Sequence, residues 1–147
     1  MIPVSLVWIA QQVQGELICN EQSIAENAII QGVTTDTRHI HSNDLFIALR
    51  GPNFDGHKFV EQARLSGATA VIVSHKIDTS LAQIVVQDTK VALGLLGKAV
   101  KAEVAPKTVA ITGSSGKTTV KEMVAAILAR RGKVLATNGN FNNDIGV

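Results

Sequence analysis

Apolar positions along this chain change period repeatedly, and the changes mark out its elements. Leu6, Ile9 and Val13 recur at helical spacing behind Ser5, a natural helix cap, and Gly15 is expected to stop that helix. Short apolar stretches at Glu16–Cys19, and from Ile29 through Val33 toward Thr35, read as strands. "DLFIAL", Asp44–Leu49, is a compact strand ended by the breakers Gly51, Pro52 and Asn53. A helix is expected over His57–Ser66, with Phe59, Val60 and Ala63 inward and Gly67 as its cap. "ATAVIV", Ala68–Val73, and Ile84–Val86 are buried strands by their β-branched content. Asp88 or Thr89 opens a longer helix carrying Ala92, Leu95, Leu96, Ala99 and Val100 along one side.

"KAEVAPK", Lys101–Lys107, suggests a linker around Pro106, after which the pattern restarts. A strand over Thr108–Ile111 runs into a Gly/Ser loop, and then into a helix over Lys117–Arg130. Val120, Met123, Val124, Ile127 and Leu128 form its apolar stripe, Gly132 closes it, and Lys133–Thr137 is a further strand. Strands alternating with helices predict an α/β protein. Residues 1–105 are expected to form a small N-terminal α/β domain, and residues 106–147 the start of a second domain whose strand, Gly/Ser loop and helix have the order of a P-loop. Strand, helix and strand by themselves leave a sheet edge and a helix face uncovered, so the chain is expected to end inside its second domain.

Composition narrows the class. Hydrophobic residues at 46% against charged residues at 18% describe a folded globular chain and exclude a disordered one. Lys and Arg outnumber Asp and Glu by 14 to 12 without any dense basic run, which argues against a nucleic-acid partner. Cys19 stands alone, so no internal disulfide is possible, and a reducing compartment fits. The opening "MIPVSLVWIAQQVQGE" lacks a basic signal-peptide start, and every apolar run is shorter than a membrane span. The expectation is a cytoplasmic protein, monomeric and not inserted in a membrane.

The most specific chemistry lies in "VAITGSSGKTT". Gly113 and Gly116 permit close backbone approach, and Ser114 and Ser115 lie between them. Successive N–H groups and the following helix N-terminus then present partial positive charge to phosphate oxygens. Lys117 adds a full charge for the terminal phosphates, the Thr118 hydroxyl suits Mg²⁺, and Thr119 follows. The full phosphate-loop pattern asks for a glycine where Ile111 stands, so the short form is the one present. Phosphate binding does not name a reaction, because a switch, an ATPase or a ligase can open this way.

Other clusters admit two readings each. Thr35, Asp36, Thr37 and Arg38 suit a sugar or diphosphate, yet equally make an Asx-stabilised turn with a solvated arginine. His39 and His41 share a strand face but lack a third ligand at metal spacing. In "NFDGHKF", Asp55 and His57 form either a proton-transfer pair or a helix cap. "TNGNFNND", Thr137–Asp144, is either a permissive loop or a set of amides holding a ligand beside the phosphate loop.

Taken together, "TDTRHIHSNDLFIALRGPNFDGHKFVEQARLSGATAVIV" and "ITGSSGKTTVKEM" resemble the Mur ligases, which build the peptide of bacterial peptidoglycan. That family characteristically lacks the first glycine of the loop, although its members more often carry Thr-Asn where Ser114 and Ser115 stand. "KEM", Lys121–Met123, and "GNFNNDIGV", Gly139–Val147, are most similar to the last ligase of the series. The resemblance implies three domains: one binding the UDP end of the substrate, a central ATPase and a Rossmann-like third domain. It implies ATP and Mg²⁺ as cofactors, with UDP-N-acetylmuramoyl-tripeptide and D-alanyl-D-alanine as the joined partners. The peptide carboxylate would be phosphorylated to an acyl phosphate and attacked by the dipeptide amine.

Carried over by position, Gly113, Ser114, Ser115, Gly116, Lys117, Thr118 and Thr119 would bind ATP, with Thr118 on the metal. Thr35, Asp36, Thr37 and Arg38, with Asn53, Phe54, Asp55, Gly56 and His57, would lie on the UDP side. Asn140, Asn142 and Asn143 would face the cleft between domains. The 147 residues by themselves are expected to be catalytically silent. Two competing readings are a stand-alone UDP-sugar-binding module and another amide ligase of the superfamily, such as the folylpolyglutamate type.

Overall fold

Ser5 does cap the first helix: its hydroxyl accepts the Trp8 N–H, opening α1 (Leu6–Gln12). The helix ends in a complete Schellman pair, Gln14 N–H to Gln11 O and Gly15 N–H to Ala10 O. The left-handed residue of that pair is Gln14, with φ 55°, and Gly15 helps close the helix, as expected, through its N–H to Ala10 O. Gly15 is needed for a different reason. A Cβ there would lie 2.5 Å from the Ile84 side chain, so the glycine lets the chain turn tightly over the sheet.

The computed structural model describes residues 1–19 and 28–137, which divide into two compact units split at Ala105 and Pro106. In the first unit the strands are β1 (Val4–Ser5), β2 (Glu16–Ile18), β3 (Ile29–Ile30), β4 (Gly32–Thr34) and β5 (Asp44–Ile47). They continue with β6 (Arg50–Gly51), β7 (Phe54–Asp55), β8 (Ala70–Val73) and β9 (Ala82–Val85). The helices after α1 are α2 (Val60–Leu65) and α3 (Thr89–Val104), and a single 3₁₀ turn over Gly56–Phe59 leads into α2. The main sheet has the order β2-β9-β8-β5-β4, parallel from β9 to β4 with β2 added antiparallel at one edge.

Parallel strands are covered on both faces, which is why β5 and β8 are buried at every position. The pleat sorts their side chains into two cores. Leu45, Ile47, Ile72 and Ile84 face Leu6, Ile9, Ala92 and Leu96 of α1 and α3. Phe46, Val71 and Val73 face Val60 and Ala63 of α2. Burying each of these larger side chains stabilises the fold by about 1.5–3 kcal/mol.

Two expectations in this unit need correction. The single strand over Ile29–Thr35 is two, β3 pairing with β1 and β4 with β5, because the Gln31 N–H turns away to Asn43 O. Lys101–Val104 are helical rather than linker, and α3 stops only where Ala105 takes φ 45°. The proline that follows explains the stop, since a residue before proline is kept out of the right-handed helical region.

The second unit contains α4 (Lys117–Ala129), and its expected strands at Thr108–Ile111 and Lys133–Thr137 are absent among the described residues. A strand is defined by its ladder, and neither segment has a ladder partner there. On α4, Val120, Met123, Ile127 and Leu128 are exposed.

Candidate functional site

Because β4, β5 and β8 run parallel, their carboxyl ends share one edge of the sheet. The chain leaves that edge through polar segments: Thr35–Arg38 after β4, Arg50–His57 after β5 and Ser74–Lys76 after β8. Ligands of open α/β sheets bind at such an edge.

Asp36 caps a 3₁₀ turn over Thr37–His39 by accepting the Arg38 N–H at 3.0 Å. Its two carboxylate oxygens also receive the guanidinium, with Nε at 2.9 and 3.1 Å and Nη2 closing the fork. The Thr34 hydroxyl bridges the Asp36 N–H and carbonyl, both at 3.1 Å, so the turn is rigid at its root. The Arg38 guanidinium bonds, then its backbone N–H, hold the Asp36 carboxyl far below the usual carboxylate range. Arg38 is 78% exposed along its side chain. Thr35 and Thr37 are half-buried beside it. The Asx-turn geometry is therefore real, and the guanidinium at its tip faces solvent.

The hairpin of β6 and β7 turns at Pro52 and Asn53, pairing Arg50 with Asp55. Asn53 is exposed, and Phe54 stacks on Phe59 with ring centroids 5.4 Å apart. Gly56 is buried with its N–H on Leu49 O at 2.8 Å, and a Cβ there would meet Leu49 backbone atoms inside 3 Å. Gly56 is thus placed to let the hairpin dock on β5.

Asp55 accepts the His57 N–H at 3.1 Å and lies 2.7 Å from His57 Nδ1. The ring bond first, then the backbone N–H and the nearby Arg50 charge, hold the Asp55 carboxyl below its ordinary value. The other ring nitrogen, Nε2, receives the backbone N–H of Ser74 at 2.9 Å and lies 3.0 Å from Ser74 Oγ. An N–H can only donate, so Nε2 is the acceptor and the ring proton sits on Nδ1, directed at Asp55. His75 stacks on His57 with centroids 4.8 Å apart. Sequence reading missed Ser74 and His75 because no motif contains them; their signal is position, immediately past the end of β8.

In the second unit, α4 begins directly after Gly116, whose φ of 75° places it in the left-handed region. Gly116 has no side chain with which to cap the helix, and the first N–H groups of α4 point back toward the Gly113–Gly116 turn, where Ser114 and Ser115 are exposed. Lys117 Nζ donates to the Gly113 carbonyl, which holds the cation over the same turn. Thr118 and Thr119 occupy the first helical turn. These are the donors a phosphate chain requires, and the residues present fit a nucleotide phosphate with its Mg²⁺. One helical turn on, Lys121 Nζ donates to Thr137 O. Asn140, Asn142 and Asn143 lie outside the described residues.

The comparisons with known proteins bear on both units. A family model described as the Mur ligase middle domain matches residues 111–147. The UDP-N-acetylmuramoyl-tripeptide--D-alanyl-D-alanine ligase of Haemophilus influenzae is 49% identical across the whole of this chain, which covers 32% of that enzyme. Its counterpart from Escherichia coli is 46% identical, again across the whole chain and 31% of the relative. The chain belongs to the Mur ligase family. It spans about a third of the length of the curated Mur ligases it matches. A crystal structure of MurF from Acinetobacter baumannii superposes with a TM-score of 0.87 at 43% identity, covering 98% of this chain and 31% of that one. A Mur ligase from Thermotoga maritima, MurF in complex with ADP, superposes with a TM-score of 0.69 at 32% identity, covering 79% of this chain and 27% of that one.

Proposed function

We propose that the protein carrying this chain is a cytoplasmic, monomeric, ATP-dependent amide ligase of peptidoglycan precursor synthesis. It joins D-alanyl-D-alanine to UDP-N-acetylmuramoyl-tripeptide through an acyl phosphate. The observation that carries the reading is the start of α4 on a glycine, Gly116 at φ 75°, with Lys117 held over the Gly113–Gly116 turn. Whole-chain identity to ligases bearing that substrate pair in their names supports the choice of substrates.

Each residue then has a task. The N–H groups that open α4 and the Lys117 ammonium hold the phosphates, Lys117 exchanging the Gly113 carbonyl for a phosphate oxygen. Thr118 supplies a hydroxyl to Mg²⁺. When bound, Mg·ATP supplies the phosphoryl group that activates the peptide carboxylate. Offsetting the charge that develops on that group is work for a fixed cation and a helix N-terminus. Arg38 and the hairpin end at Asn53 and Phe54, at the sheet edge of the first unit, take the UDP end of the substrate.

Titration calorimetry tests the nucleotide half. The chain is expected to bind Mg·ATP, with Lys117→Ala weakening it about tenfold or more, the loss of one charge-assisted contact. An unchanged Kd overturns the ATP-loop assignment. For the reaction, phosphate release by the protein at its relatives' length is expected to require both UDP-N-acetylmuramoyl-tripeptide and D-alanyl-D-alanine. Release driven by a folate substrate and glutamate would replace this ligase with its superfamily cousin.

A further inference from the structure

Both ring nitrogens of His57 are engaged inside the protein, and its side chain is 5% exposed. A residue so enclosed has no donor or acceptor left for a ligand. What it does have is a grip on the carboxyl end of β8, seventeen residues away in sequence. Its Nε2 fixes the Ser74 backbone, and its ring face carries the exposed His75 ring at 4.8 Å.

We infer that His57 is a positioning residue and that Ser74 Oγ and the His75 ring, which it places, are the groups that contact the uridine nucleotide at this edge. The inference rests on the UDP reading above. Ser74 Oγ lies 3.0 Å from Nε2, which the Ser74 N–H already occupies, and 3.2 Å from His75 Nδ1, where the His75 tautomer sets which group donates. In either tautomer a lone pair of Oγ remains for an incoming donor, either a ribose hydroxyl or the imide N–H of the pyrimidine. His75 is held by two independent contacts, its stack on His57 and its bond to Ser74 Oγ, so its ring offers a pre-set surface to the ligand.

Asp55, His57 and Ser74 stand in the order of a hydrolytic triad, but that chemistry requires Nε2 to take the hydroxyl proton. Ser74's own N–H occupies Nε2, so the chain of bonds works as a brace.

The test is titration of the full chain with UDP, alongside thermal unfolding. Ser74→Ala and His75→Ala are expected to weaken UDP binding about tenfold each, the worth of one hydrogen bond or stacked ring, with little change in Tm. His57→Gln, whose amide oxygen can reach the Nε2 position, is expected to keep affinity within about threefold, while His57→Asn, which reaches only the Nδ1 position, loses about tenfold. Should wild-type protein bind UDP and Ser74→Ala and His75→Ala bind it equally well, the inference falls and the UDP reading stands. Equal loss in the Gln and Asn variants removes the positioning role. If the wild-type chain does not bind UDP, both readings fall together.

Discussion

The two units were written in the same vocabulary of strand, turn and amphipathic helix, and they end differently. In Met1–Ala105 every long apolar strand found neighbours, and β5, β8 and β9 lie between two layers of side chains. From Pro106 on, α4 is a regular helix, yet Met123 is 60% exposed and Ile127 65%, and the segments flanking it form no ladder among the described residues. A helix satisfies its own backbone and can be drawn from local sequence; a strand borrows its hydrogen bonds from another strand. The contrast separates what local sequence determines from what only tertiary neighbours supply.

The sharpest way to break this contrast is to remove one apolar side chain from each unit. Phe46 is 1% exposed in the layer under α2, so Phe46→Ala is expected to cost about 3–5 kcal/mol in urea unfolding of the chain. Ile127→Ala, on the open face of α4, is expected to change it by less than about 0.5 kcal/mol. A comparable loss from Ile127→Ala would mean that the α4 face is covered in solution.

That division also explains what the sequence made legible. The order of elements in the first unit followed from apolar period and breakers, and Ser5 and Asp88 were readable as caps because capping is local. Gly15 was legible as the helix stop, but not why it must be glycine, because only Ile84 on β9 shows that close packing and not a left-handed turn requires it. At the candidate site, the Asp36–Arg38 turn was legible within four residues, and the loop before α4 within seven. Ser74 was not, because its partner His57 lies in another segment and their meeting depends on β5 and β8 being neighbours. Gln83 is a second case: buried in β9, it gives its amide to both the N–H and the carbonyl of Ile77, fixing the connection between β8 and β9.

A smaller effect sharpens the reading of the hairpin. Gly56, expected on the UDP side, has Leu49 and Ala48 backbone atoms within 3.0 Å of where a Cβ would stand. Gly56→Ala is therefore expected to lower stability by about 1–3 kcal/mol, since backbone cannot yield as a side-chain tip can. The measurement is a denaturation midpoint with and without saturating UDP. A variant of unchanged stability that no longer binds UDP would restore Gly56 to the ligand site.

The smallest expected effect lies at Asp36, and acid is the way to read it. Its carboxyl is held low by Arg38, so the folded protein releases that proton more readily than the unfolded chain does. With the folded value below the unfolded one, the pair adds stability at pH above the ordinary carboxylate value of about 4 and loses it as pH falls through that range toward the folded value. Asp55 carries the same sign through His57. Arg38 is 78% exposed, so water and salt screen the pair and its share is small. Asp36→Asn is expected to flatten the acid limb of Tm against pH slightly, and the difference from wild type is expected to shrink in 1 M salt. Because the core of the first unit carries its stability, a variant that collapsed at neutral pH would mean that the Thr34–Asp36–Arg38 turn holds the end of β4 in place, a structural duty beyond presenting the guanidinium.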